Sequence, residues 1–268
     1  MPATRIAVVL AAAGLLPATA YARAVSSRCK GLPTYHQLAQ QLAVIVKENN
    51  GGIFKPNAMW ATVVNRAGDV CVVAKVGDAW PGSRLISAAK ANTANAFSND
   101  RLALSTANLY SAVQPGGSLY GLATSNPLNI RVAYKGPTTL YGKARDPLIG
   151  NLIGGINVFG GGLALYDKDA KLLGGLGVSG DSSCTDHVIA WKLRNAFDLA
   201  HVPAGVSPAK NDNIIYDLDA TTGKSASGFG HPVCGKDATE IAKSLVLPGV
   251  QVPENKDASK ADTKEQTP

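Results

Sequence analysis

Residues 174–192, "GGLGVSGDSSCTDHVIAWK", run from glycine-spaced apolar residues through a polar cluster into an amphipathic pattern. That order commits the chain to a strand delivered directly onto the start of a helix. A strand bringing Gly177, Ser179 and Gly180 to a helix start leaves backbone N–H groups facing one spot, where a carboxylate or phosphate is stabilised. Alternatively Ser182, Ser183, Thr185 or Asp186 caps the helix and the glycines only make the turn. The two arrangements are compatible, because a capped helix can still point its remaining amides at a ligand.

The rest of the pattern supplies partners for this strand. Residues 34–49 place Leu38, Leu42, Ile45 and Val46 on one helical face, with Thr34 as N-cap and "NNGG" as the stop. "MWATVVN" and "VCVVAKV", separated by "RAGD", predict a β-hairpin. A second helix comes next, with Ser83 as N-cap and alanines at 88, 89, 91, 94 and 96; it has little side-chain bulk and can approach a sheet closely. A shorter helix is expected over "STANLYSAV". From about 114 to 153, glycines and prolines recur every few residues, which predicts an irregular insertion. "INVFGGGLALYD", "DKDA" and "KLLGGLGVSG" then predict a second hairpin, and "DHVIAWKLRNAFDLA" a last long helix. Hairpin-linked strands imply an antiparallel sheet covered by helices, an α+β class. Residues 201–250 form a polar extension with a short helix near the end of "GHPVCGKDATEIAKSL", and 251–268 read as a disordered tail.

Residues 1–22 carry one positive charge, Arg5, an apolar run from Ile6 to Leu16, and Ala20 and Ala22 bracketing Tyr21. This predicts a signal peptide cleaved after Ala22, and hence a secreted or periplasmic protein. The apolar run is shorter than the roughly 20 residues that span a bilayer, so no stable membrane insertion is expected. Cysteines stand at 29, 71, 184 and 234. In an oxidising compartment they predict two disulfides with three pairings open. Cys29 with Cys71 and Cys184 with Cys234 is favoured, since each bridge then ties a terminal extension to the core. None of the four has a C-x-x-C metal spacing. The formal charge of +7 is spread over scattered lysines and arginines, which argues against a dedicated nucleic-acid surface and favours modest attraction to anions.

"GGINVFGGGLALYDKDAKLLGGLGVSGDSSCTDHVIAWK", with "WATVVNRAGDVCVV" and "SAAKANTANAFS", resembles the GlcG/HbpS-type haem-binding family, which includes the C-terminal domain of PduO. The likeness rests on the N-R-x-G-x turn, the K-A-x-T-A helix and the double-glycine strand leading to G-V-S-G with an aspartate six residues after Gly180. It covers about residues 34–200, so 23–200 is taken as the family domain interrupted at 114–153. The resemblance implies a profilin-like α/β/α sandwich around a five-stranded antiparallel sheet, with haem as cofactor and a homo-oligomeric state. The chain departs from the family pattern at "GGGLALY", in its cysteines and in the insertion.

Haem iron takes His, Met, Cys or Tyr as axial donor. With the cysteines oxidised and Met59 in a strand, the histidines and tyrosines remain: His36 in the first helix and His187 in the first turn of the last lead, ahead of His201 and His231 in loop-like sequence. Lys90 and Thr93, at i and i+3 of the alanine-rich helix, are candidates to face a ligand, Lys90 pairing with a propionate. Gly161, Gly162, Ser179, Gly180 and Asp186 complete the expected ligand-binding set. The expected function is an exported protein that binds a small molecule, haem or a related tetrapyrrole. A secreted enzyme is the alternative, oxidative haem breakdown among its reactions, as is an accessory module that binds a partner protein. No catalytic group is assigned, because G-x-S-x-G is absent and the adjacent Asp186 and His187 point apart on a helix.

Overall fold

The "RAGD" spacer closes the predicted hairpin: β1 (Met59–Asn65) and β2 (Val70–Val76) pair antiparallel across it. The computed structural model of the chain describes residues 27–55 and 57–247. The segments read as signal peptide and disordered tail, 1–22 and 251–268, lie outside the described residues. The second hairpin joins β3 (Gly162–Tyr166) to β4 (Leu172–Ser179), and β4 pairs antiparallel with β1, giving the order β2-β1-β4-β3.

Helices cover both faces. α1 (Tyr35–Ile45) starts at Thr34 with a capping box in which Gln37 answers the Thr34 backbone. It lies with α3 (Ser183–Ala196) over Ala61, Val63, Leu163, Leu165, Leu176 and Val178. α2 (Ser83–Ala96) covers the opposite face, where Trp60, Val64, Val73, Ala88 and Ala91 pack together. Its N-cap is Gly82, one residue before the predicted Ser83, and Gly82 makes no side-chain cap bond. Ser83 instead donates its backbone N–H to the Trp80 carbonyl. "STANLYSAV" forms two 3-10 turns, Thr106–Leu109 and Ser111–Val113, and the extension ends in α4 (Ala238–Lys243).

The alanine-rich sequence of α2 acquires its reason from β4. A Cβ on Gly177 would stand 1.9 Å from the Ser87 carbonyl oxygen, and one on Gly175 would stand 2.2 Å from that of Ala91. Helix backbone therefore rests on strand backbone, an approach that only glycine on the strand side permits. The contact is completed by a Thr62–Ser87 hydroxyl hydrogen bond of 2.8 Å.

The expected five-stranded sheet is corrected to four strands among the described residues. Residues 150–152 do lie along the free edge of β2, through Val70 N to Asn151 O and Gly150 N to Val70 O. Gly154 and Gly155, at φ +63° and +81°, then turn the chain off the edge before a ladder can grow.

The insertion 114–153 is built of single helical turns, and it is not a loose decoration. Ala133, Leu148 and Ile153 are buried against the α2 face of the sheet. The buried Arg84 guanidinium pairs with buried Asp146 (Nε–Oδ2 2.9 Å), donates to the Ala133 carbonyl, and stacks 3.5 Å over Tyr141. Both favoured disulfides are present, Cys29–Cys71 and Cys184–Cys234. No helix among the described residues is long and apolar enough to cross a membrane.

The backbone contact yields a direct test. Gly177→Ala is expected to lower the unfolding free energy by about 3 kcal/mol through overpacking, while Gly82→Ala, where a Cβ meets nothing within 4 Å, stays within about 0.5 kcal/mol of the parent. Urea unfolding of the two variants measures both.

Candidate ligand site

The strand-to-helix junction is occupied by the chain's own groups. Ser182 caps α3, accepting from Thr185 N. The Asp186 carboxylate lies against the open amides: Oδ1 accepts from Gly180 N and Asp181 N, both at 3.0 Å. Its Oδ2 is 2.7 Å from Lys90 Nζ, which also donates to the Val178 carbonyl at 3.0 Å. Lys90 and Asp186 are both buried, at 1% and 2% exposed. The anion that the glycine-rich start was expected to attract is thus an internal carboxylate, and its counter-ion comes from α2.

Gly161 makes room for the pair. At φ +114°, a Cβ there would stand 2.8 Å from the Asp186 Cβ and 3.1 Å from Lys90 Nζ. Gly162 donates its N–H to Thr106 Oγ1 at 2.8 Å. Thr93 sits one turn beyond Lys90, where its hydroxyl donates to Ala89 O and accepts from Asn157 N. Ser179 is buried in β4 opposite Trp60. Burial pushes Asp186 up to about 6 and pulls Lys90 down, each opposed by the other's charge.

His187 is next to Asp186 in the chain but faces elsewhere. It is fully buried, with Nε2 at 3.2 Å from both Asn213 Oδ1 and Ile214 N, and burial drives it down to about 3. His36, by contrast, lies exposed on α1, its ring edge-on to Tyr35 with centroids 5.7 Å apart. The candidates therefore divide: Lys90, Gly161, Gly180 and Asp186 meet at one buried point, Gly162, Thr93, Ser179 and His187 surround it, and His36 belongs to another part of the surface.

Open space lies near Tyr35. A cavity of about 640 Å³ is bounded by residues 32–35, the Cys29–Cys71 bridge, Val72 of β2 and residues 135–151. This is within the usual range for small-molecule sites. Leu32, Pro33, Val72, Pro147 and Ile149 give it apolar walls; Lys135 and Arg145, both exposed, give it a basic rim. The Tyr35 hydroxyl, half-buried, donates to Gly142 O at 3.4 Å. Sequence reasoning missed Tyr35, Lys135 and Arg145. Their signal was faint, because they stand about 100 residues apart and only the docking of the insertion brings them together.

The family model described as HbpS-like, haem degrading protein, matches residues 35–193, and the chain belongs to this family. Among solved structures, the Klebsiella pneumoniae protein ORFY is 28% identical, over 62% of this chain and 90% of that one, with a TM-score of 0.41. A PduOC–haem complex is 28% identical, over 60% and 89% of the two chains, with a TM-score of 0.42. A double mutant of HbpS from Streptomyces reticuli is 14% identical, over 72% and 97%, with a TM-score of 0.37. No curated protein matches the chain at a significant level.

The internal pair predicts a non-additive response. Lys90→Met alone strands a buried carboxylate and should cost about 3–5 kcal/mol, whereas Lys90→Met with Asp186→Leu should recover most of that loss. Denaturant unfolding of the single and double variants reads the difference. Acid should also destabilise the fold. The unfolded chain protonates His187 near its ordinary 6.5 but the folded chain only near 3, and for His231 the folded value is about 4. Stability is therefore full above pH 6.5 and falls as pH drops through 6.5 toward 3. Asp186 acts in the opposite sense between 6 and 3.8, but the two histidines outweigh it. Unfolding midpoints measured across this range should decline less steeply in His187→Gln.

Proposed function

We propose that the chain is an exported haem-binding protein that holds the macrocycle in the cavity between α1, β2 and residues 135–151. The observation that carries this is the pairing of apolar walls with a basic rim in a space of about 640 Å³, in a chain whose family is defined by haem chemistry. Leu32, Val72 and Ile149 suit a flat apolar ring, and Arg145 and Lys135 suit its two carboxylates. Tyr35 and His36 are donors of the types that ligate haem iron. Of the two histidines singled out from the sequence, His36 is favoured, because it is exposed and edge-on to Tyr35, which lines the cavity, while His187 is buried with Nε2 engaged. Bound haem would supply redox chemistry at its iron. The protein's own part is to orient the ring, neutralise its carboxylates and keep water from one face.

Export rests on the signal-peptide pattern ending at Ala22; the two disulfides are in keeping with an oxidising compartment. A homo-oligomer is part of the same reading, carried by the family resemblance. The family's description as haem degrading favours a second reading, oxidative breakdown of the bound ring. In that case the Soret band of the complex would be lost when ascorbate and dioxygen are supplied.

Titration of the disulfide-intact protein with haemin tests the proposal. A Soret band saturating at about one haem per chain is expected, weakened several-fold in Arg145→Ala and altered in position in His36→Ala or Tyr35→Phe. His187→Gln should leave the spectrum unchanged. Absence of a saturable band, or dependence on His187 alone, overturns the assignment of this cavity.

A further inference from the structure

The cysteines have no C-x-x-C spacing, but the fold brings Cys184 to His231 and Cys234 and creates a three-donor cluster where α3 begins. We propose that Cys184, Cys234 and His231 form a redox-gated site for a thiophilic divalent metal such as zinc, closed as a disulfide and opened by a dithiol reductant. Ligand atoms of the three residues lie within 4.8 Å of one another. His231 is 2% exposed, and its Nε2 is buried without a hydrogen-bond partner. Nδ1 lies 2.8 Å from the Pro232 carbonyl oxygen, so the proton sits there and the Nε2 lone pair is left for a metal. Two thiolates and an imidazole form a donor set that selects zinc over calcium or magnesium.

The sulfur atoms are placed for the open form as well. Cys184 is the second residue of the 14-residue α3, and its N–H donates to Cys234 Sγ at 3.2 Å. A helix start of this kind stabilises a thiolate on Cys234. Cys184 is buried while Cys234 is half-buried, and in the open form a water can complete a tetrahedral site. Reduction transfers two electrons and two protons from the dithiol to the Cys184–Cys234 bond, giving two thiols and a disulfide on the donor. Zinc then displaces two protons as both sulfurs and Nε2 bind.

Opening the bridge leaves the extension in place, because other bonds hold it. Buried Arg194 forks onto buried Asp212 at 2.6 and 2.7 Å. Asn108 donates to Asn213 O at 3.0 Å, Asn213 to Ala242 O at 2.9 Å, and Trp191 Nε1 to Val246 O at 3.1 Å.

Cobalt(II) added to the full mature chain, oxidised or reduced with a phosphine, tests the site. The reduced protein should show thiolate-to-cobalt charge-transfer absorption saturating at one ion per chain and displaced by zinc; the oxidised protein should show none. His231→Ala should weaken binding by about tenfold or more, and Cys184→Ser with Cys234→Ser should abolish the band. Circular dichroism of the same samples reports the fold. Any of these results overturns the proposal: no band from a reduced chain that keeps its native spectrum, a band that survives loss of both cysteines, affinity unchanged in His231→Ala, or unfolding on reduction.

Discussion

The approach of α2 to β4 governs where most other groups can sit. Because Gly175 and Gly177 offer no side chain, the helix rests on the strand through its own Ala91 and Ser87 carbonyls. An element held at backbone distance has little freedom to slide or rotate. Lys90, on the same helix, is thereby fixed where its ammonium reaches past the strand end to Asp186 on the opposite face of the sheet. A larger residue at either glycine would push α2 outward, and with it Lys90 and Arg84.

Three buried ion pairs then serve as cross-links among parts far apart in sequence. Lys90–Asp186 joins the helices of the two faces, Arg84–Asp146 joins the insertion to α2, and Arg194–Asp212 joins the C-terminal extension to α3. Such pairs add little net stability over apolar substitutes, since desolvation consumes most of the Coulomb gain. Their effect is on uniqueness: each charge has one partner, and any other docking leaves an unpaired charge in the interior. The insertion and the extension are rich in glycine and polar residues, and apolar burial alone would specify their positions weakly.

Periodicity located α1, α3 and both hairpins in the sequence because their cores follow the 3.6- and 2-residue repeats directly. For the disulfides three pairings were open in sequence, and the favoured one, in which each bridge ties an extension to a nearby part of the core, is the one present. The fourth-strand limit was not, since it depends on the positive φ at Gly154 and Gly155, which a β-branched flank such as Ile153 hides. At the helix start, the glycines, the cap and the carboxylate were all visible in sequence. That Asp186 itself fills the place of the ligand was not visible, because its partner Lys90 lies 96 positions away. Arg84 and Arg194 carried a local signal, a cation in an otherwise small or apolar helix face, but nothing in sequence pointed to Asp146 or Asp212.

The frame and the candidate site are separated by the same contacts. Sheet, α2 and α3 close upon one another through glycine contacts and the internal Lys90–Asp186 pair, which takes up the open amides at the junction. The cavity lies where the frame meets its additions: the Cys29–Cys71 bridge holds residues 29–35 on one side, and Arg84–Asp146 holds residues 135–151 on the other. Both anchors lie in or beside the cavity wall, and Asp146 is at once a lining residue and an ion-pair partner. Substitutions at the rim, at exposed Arg145 or Lys135, touch neither anchor and leave the frame its stability. Loss of Arg84 would unmake the cavity without touching any residue that lines it except through Asp146.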